Sequence, residues 1–100
     1  MSTSPPRKRP ARSFRMPIDN VRSITGRGTL LTGRIQQGIV KTGDPVEIVG
    51  ADAKPRSSVV LAVEMSGKLV GRAQAGDTVG VLLRGVNRDQ VSSGQVLQAP

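Results

Sequence analysis

The chain contains no cysteine, histidine, tryptophan or tyrosine, and its only aromatic residue is Phe14. Disulfide scaffolds, thiolate metal sites and zinc fingers all need Cys or His and are excluded. Ser-His-Asp and Cys-His nucleophile systems are excluded because their base is missing. A lone Phe14 cannot form the aromatic platform on which many nucleic-acid modules stack bases. No apolar run approaches the roughly 20 residues that span a bilayer. The start of the chain also lacks the apolar middle of a secretory signal, and its prolines argue against the amphipathic helix of a transit peptide. The lack of cysteine fits a reducing compartment, the cytoplasm. The expectation is a non-enzymatic binding module with no cofactor, no metal and no membrane partner.

What the chain does have is positive charge. Its 100 residues, a single-domain length, hold 15 Lys and Arg against 7 Asp and Glu, a formal net charge of +8. Much of this charge lies at the start, where Arg7, Lys8, Arg9, Arg12 and Arg15 occur without an acid and among Pro5, Pro6 and Pro10. Proline removes helix donors and like charges repel, so residues 1–12 read as a disordered basic arm and 13–100 as the folded domain. The arm is either a solvated leader or a set of contacts to RNA phosphates.

From Ser13 onward there is no sustained helical period. Short β-rich runs alternate with glycine turns, the pattern of a sandwich or barrel. The expected strands are Phe14–Ile18, Val21–Ile24, Gly28–Gln37, Val46–Val49, Ser57–Met65, Thr78–Arg84 and Gln95–Ala99. A local pattern recurs in Gly43-Asp44-Pro45-Val46 and Gly76-Asp77-Thr78-Val79, with a weaker echo in Gly94-Gln95-Val96. In each, glycine suits a turn and valine opens a strand. Strand alternation assigns Leu31, Ile35, Val46, Ile48, Val59, Leu61, Val63, Met65, Val79, Val81 and Leu83 to the core. Closing the sheet into a barrel would remove exposed edges. Leu30, Val60 and Leu82 fall on the opposite, outward face, which is unusual for aliphatics unless something covers them. Glu64 falls on that face as well.

The glycine-rich stretches are not nucleotide sites. Gly26-Arg27-Gly28 begins like a dinucleotide fingerprint, but position 31 is Leu and a strand follows where a helix is needed. Gly67-Lys68 lacks the upstream glycine of a P-loop, since position 62 is Ala. The carboxylates sit mostly at turns and define no acid-base pair. Arg27, Arg34, Lys68, Arg72, Arg84 and Arg88 fit either a solvated surface or an RNA-backbone contact.

Three stretches carry a resemblance: MPIDNVRSITGRGTLLTGRIQQGIVKTGDPVEIVG (Met16 to Gly50), VEM (Val63 to Met65) and AGDTVGVLLRGVNRDQVSSGQVL (Ala75 to Leu97). They resemble the second domain of bacterial elongation factor Tu. The resemblance implies an all-β, six-stranded closed antiparallel β-barrel of the translation-factor domain 2 type. It also implies a stand-alone domain, in which the basic arm takes the place of the GTP-binding GTPase domain. In that family the domain helps bind the 3′ end of aminoacyl-tRNA. The positions that hold the terminal adenine match Ile24 and Glu64, with aliphatic neighbours at Leu30 and Leu82. The Gly26 to Gly28 loop is expected to face small-subunit ribosomal RNA. Arg27, with Arg7, Lys8, Arg9 and Arg12, is the expected set of phosphate contacts. On the aminoacyl side the family has a Glu-Asp pair where this chain has Asp19-Asn20. It has an aromatic at Arg22, a bulky ring at Ser66 and an asparagine at Thr78. A cation at Arg22 opposes a protonated amine.

Three functions follow as expectations. The leading one is a monomeric, non-catalytic module of translation that contacts a tRNA 3′ end or ribosomal RNA. The second is a protein-interaction barrel whose Ile24, Leu30 and Leu82 surface meets a translational partner. The third is a degenerate fragment of a translational GTPase.

Overall fold

The structure, a computed structural model, describes residues 13–50 and 54–100. The expected arm, including Arg7, Lys8, Arg9 and Arg12, lies outside the described residues. Within them the chain is all-β, with one 3-10 turn at Arg88–Gln90 and no α-helix. The strands are β1 (Arg15–Pro17), β2 (Asn20–Ile24), β3 (Gly28–Arg34), β4 (Ile39–Lys41), β5 (Pro45–Val49), β6 (Arg56–Met65), β7 (Lys68–Val70), β8 (Arg72–Gln74), β9 (Thr78–Leu83) and β10 (Val96–Gln98). Each of the seven expected strands is present with its ends moved by a few residues. The largest change is in β3, which stops at Arg34, leaving Gln37 to make a single bridge to Arg15. The short β4, β7 and β8 had no strand signal in the sequence, because three residues are too few to show an alternation.

Eight strands form one antiparallel sheet in the order β1-β10-β5-β6-β9-β3-β2, with β7 pairing the end of β6 at Val63–Met65, while β4 and β8 pair as a separate ribbon. The sheet curls until β1 meets the far side. Arg15 N–H donates to Gln37 O at 3.0 Å, Gln36 N–H to Arg15 O at 2.8 Å and Asp19 N–H to Thr32 O at 2.8 Å. The approach is close enough to require glycine: a Cβ on Gly33 would lie 2.2 Å from the Pro17 carbonyl oxygen.

The interior of the curl is aliphatic. Leu31, Val63, Val81, Leu83, Val40, Met16 and Leu97 are fully enclosed, and Phe14, Ile18, Ile35, Val46, Ile48, Val60, Ala73, Val79, Val86 and Val91 complete the cluster. Three of the sequence assignments on β6 are overturned. Val59, expected inside, is only partly buried and lies outside the interior cluster. Val60 is buried in this cluster, whereas Leu61 is 39% exposed. The cause is a β-bulge, across which the pairing with β9 passes from Val60↔Leu83 to Ala62↔Leu82. One extra residue reverses the alternation, so inward positions are even before the bulge and odd after it.

The recurring glycine motif is a single kind of turn used three times. The Asp44 carboxylate accepts from Lys41 N–H at 2.9 Å, and the Asp77 carboxylate accepts from Gln74 N–H at 3.0 Å. In the third copy the Gln95 side-chain oxygen accepts from Ser92 N–H at 2.7 Å. Gly43, Gly76 and Gly94 all take φ near +95°, a conformation glycine adopts without steric cost (φ +94°, +97° and +94°). Two copies link β4 to β5 and β8 to β9.

Candidate functional site

In antiparallel strands, directly opposed residues point to the same face and successive residues to opposite faces. The register of β2, β3, β9, β6 and β7 therefore sorts the side chains of the outer surface into rows. One row is Arg22, Leu30, Leu82 and Ala62, and the next is Asn20, Thr32, Gly80, Glu64 and Leu69. Ile24 lies opposite Gly28, and Thr78 lies opposite Arg34, on the same face. Ile24, Leu30, Glu64 and Leu82 thus come from four strands to one side of the sheet.

Here Ile24, Arg27, Leu30, Ala62, Glu64, Leu69, Gly80 and Leu82 line a cavity of about 150 Å³. Leu30 and Leu82, expected on an open surface, are each only 7% exposed. They nevertheless stand apart from the interior cluster, being paired with each other on the outer side of β3 and β9. Each covers the other, and together they form the apolar wall. Leu69, on the edge strand β7, is 74% exposed and makes the rim.

Gly80 supplies the floor. A Cβ there would come within 3.2 Å of both Glu64 Cγ and Leu30 Cδ1, so the space depends on the missing side chain. Gly28 has a related role at the mouth. Its φ of +143° and a virtual Cβ 2.4 Å from the Leu83 carbonyl oxygen exclude any larger residue and bring the Thr25–Arg27 turn down beside Leu82. The turn is held further by buried Thr29, whose hydroxyl donates to the Val86 carbonyl.

Glu64 is half-buried among these aliphatics, and its carboxylate has no hydrogen-bond or ion-pair partner among the described residues. An ionised carboxylate is a pure acceptor. The cavity can therefore take a flat apolar body that offers a donor along one edge. Arg27 sits at the opposite end and also lines the adjoining shallow cleft of about 330 Å³ along Ser23–Thr29.

The other candidates do not meet in this cavity. Asp19 and Asn20 line a larger polar cleft of about 620 Å³ with Asn87, Arg88 and Asp89. The Asn20 amide oxygen is occupied by Val21 N–H at 2.9 Å. Arg22 is exposed beside Leu30, and Thr78 lies farther along β9. Ser66 stands in the β6–β7 turn with φ +54°. Ala62, Leu69 and Gly80 were not among the expected site residues. Ala62 and Gly80 could have been found by extending the alternation of Leu82 and Glu64, whereas Leu69 needed knowledge of the β6–β7 hairpin. Among the described residues no cluster of acidic side chains can hold a metal, and no helix is long and apolar enough to cross a membrane.

The described residues thus form a curled all-β sheet with an aliphatic cavity on its outer face. Residues 28–98 match the family model for elongation factor Tu domain 2. The chain belongs to this family and is a translation-factor domain 2-like module. The match spans Leu30, Ala62, Glu64, Leu69, Gly80 and Leu82, while Arg22, Ile24 and Arg27 precede it.

Proposed function

We propose that this protein is a non-catalytic, cytoplasmic RNA-binding module of the bacterial elongation factor Tu type. In this reading its curled sheet closes as a barrel of the domain 2 type, and it acts as a monomer. The cavity receives one unstacked base of a tRNA 3′ end or of a ribosomal RNA loop. Ile24, Leu30 and Leu82 contact the face of the base, and Glu64 accepts from its exocyclic amine. Arg27 meets the adjacent phosphate, with the basic arm adding further phosphate contacts. The observation that carries this reading is the half-buried, unpartnered carboxylate of Glu64 in an otherwise apolar cavity on the scale of one heteroaromatic ring. Burying a carboxylate without a partner is costly, and a donor from a guest offsets that cost.

The test is fluorescence anisotropy with a short labelled single-stranded RNA ending in an adenosine. Binding is expected to weaken as salt rises, with a log–log slope of roughly −0.7 for each phosphate contacted. Glu64→Ala is expected to lower the affinity at every salt concentration. No binding at low salt, or binding that ignores salt, overturns the reading.

The exposed Leu69 at the rim favours one other reading, in which the cavity docks an apolar side chain of a partner protein. Leu69→Ser would then abolish capture of that partner and leave RNA binding unchanged.

A further inference from the structure

A strand at a sheet edge turns backbone groups outward, where they pair with water, with a cover or with another chain. The β1 edge is closed by the bonds from Gln36 and Gln37 to Arg15. On the β2 edge, Val21 N–H donates to Asn20 Oδ1 at 2.9 Å and Val21 O accepts from Arg88 Nε at 3.4 Å. The β7 edge has no such cover at Leu69. Ser66 and Gly67 both take positive φ (54° and 78°), which marks a two-residue type I′ turn, so Met65 and Lys68 form its closing hydrogen-bonded pair. Antiparallel pairs alternate, so Glu64 and Leu69 form a non-hydrogen-bonded pair, and the Leu69 N–H and C=O point away from β6. β7 pairs with no second strand among the described residues, and neither Leu69 group bonds to a loop. The open stretch ends at Gly71, whose carbonyl accepts from Thr42 N–H at 3.2 Å.

Cations flank this position. Lys68 precedes Leu69, and Arg72 opens β8 directly opposite Lys41 on the β4–β8 ribbon. All three are exposed, and none has a side-chain partner among the described residues. Like charges directly opposed across two strands repel, so Lys41 and Arg72 gain from an anion placed beside them. The acids on adjoining elements do not supply it: Glu64 is turned over Gly80, and the Asp44 carboxylate holds Lys41 N–H.

We propose that the open edge of β7 docks an extended, acidic segment of a partner protein, which adds to the sheet as a further strand. Strand addition of this kind draws affinity from main-chain hydrogen bonds and specificity from side chains on either side. Here the segment's backbone meets Leu69 N–H and C=O, an apolar side chain of the segment covers the 74% exposed Leu69, and its carboxylates meet Lys68, Arg72 and Lys41. A second copy of this chain fits poorly, because two such edges would bring the same cations together. A nucleic-acid strand fits poorly too, since a phosphate accepts from Leu69 N–H but offers no donor to its carbonyl. The proposal is separate from the RNA reading of the cavity and does not depend on it.

The experiment measures fluorescence anisotropy of a labelled synthetic peptide of alternating Glu and Val with the full chain. A peptide of alternating Lys and Val, and an alternating Glu and Val peptide with N-methylated backbone amides, serve as comparisons. Only the unmethylated acidic peptide is expected to bind. Arg72→Glu, which reverses one cation and pairs with Lys41, is expected to weaken it about ten-fold. Leu69→Pro removes the outward donor at an edge position where proline is tolerated, and a loss of similar size is expected. An unfolding curve checks that Leu69→Pro folds; if it does not, Arg72→Glu and the methylated peptide decide. Glu64→Ala, which alters the cavity, is expected to leave peptide binding no weaker. No binding of the acidic peptide, equal binding of the basic or methylated peptide, or binding that survives Arg72→Glu overturns the proposal. Loss of peptide binding in Glu64→Ala places the peptide in the cavity and overturns it as well. Sedimentation of the chain alone as a dimer that Leu69→Pro dissociates assigns the edge to a second copy, with the same consequence. None of these outcomes bears on RNA binding, which is measured separately.

Discussion

The side chain of Glu64 lies over the bare Cα of Gly80, its cross-strand partner, so closely that a methyl group there would sit 3.2 Å from Glu64 Cγ and 3.3 Å from its Oε2. Gly80 is an ordinary strand position without positive φ, so the backbone tolerates alanine and the neighbours that must give way are flexible side chains. Gly80→Ala is therefore expected to change stability by less than about 1 kcal/mol while shrinking the cavity. Urea unfolding should show the first effect. RNA anisotropy should show an affinity loss of about five-fold, since a filled site excludes the base.

Gly33 sets the contrasting case. Its virtual Cβ meets the Pro17 backbone oxygen at 2.2 Å, and backbone cannot rotate away as a side chain can. Gly33→Ala has to push β1 off β3 at the point where the sheet curls on itself. The expected cost is about 2 kcal/mol or more, measured by the shift of the urea midpoint at unchanged slope.

Thr29 ties the start of β3 to the loop after β9 through its hydroxyl bond to the Val86 carbonyl. Thr29→Val keeps the shape and removes the donor, leaving a buried carbonyl short of a partner. A loss of about 1–2 kcal/mol is expected. Amide hydrogen exchange should also speed up in residues 85–87, and unchanged exchange would show that the bond does not hold this loop.

The bulge on β6 makes opposite demands on neighbouring residues. Val60→Ala removes methyl groups from the interior and should cost about 1–3 kcal/mol. Leu61→Ser changes an exposed residue and should stay within about 0.5 kcal/mol. Thermal or urea unfolding of the two variants decides between the observed register and a strand that alternates without interruption, for which the order would be reversed.

The repeated turns give a further comparison. Asp77→Ala removes the acceptor for Gln74 N–H and is expected to cost about 1 kcal/mol, whereas Asp77→Asn, which keeps an oxygen in place, should cost less. Asp44 should respond in the same way through Lys41 N–H.

Alternation with a period of two is a local property, and it was enough to place Leu31, Val63 and Val81 inside and Leu30, Glu64 and Leu82 on the other face. Glycine before Asp44 and Asp77 likewise marked its turns, because the conformation required there is a property of a few consecutive residues. Tertiary structure decided the rest. An inserted residue at Leu61 reversed the parity of half a strand, which nothing in the run Val59-Val60-Leu61-Ala62 announces. Curling brought Pro17 against Gly33, and pairing across β3 and β9 enclosed Leu30 and Leu82 where an open surface was expected. The cavity itself exists because Gly80, Ala62 and Leu69 arrive from three strands around Glu64. Such a space depends on which strands become neighbours, and that is determined by packing over the whole sheet and cannot be read from any one segment.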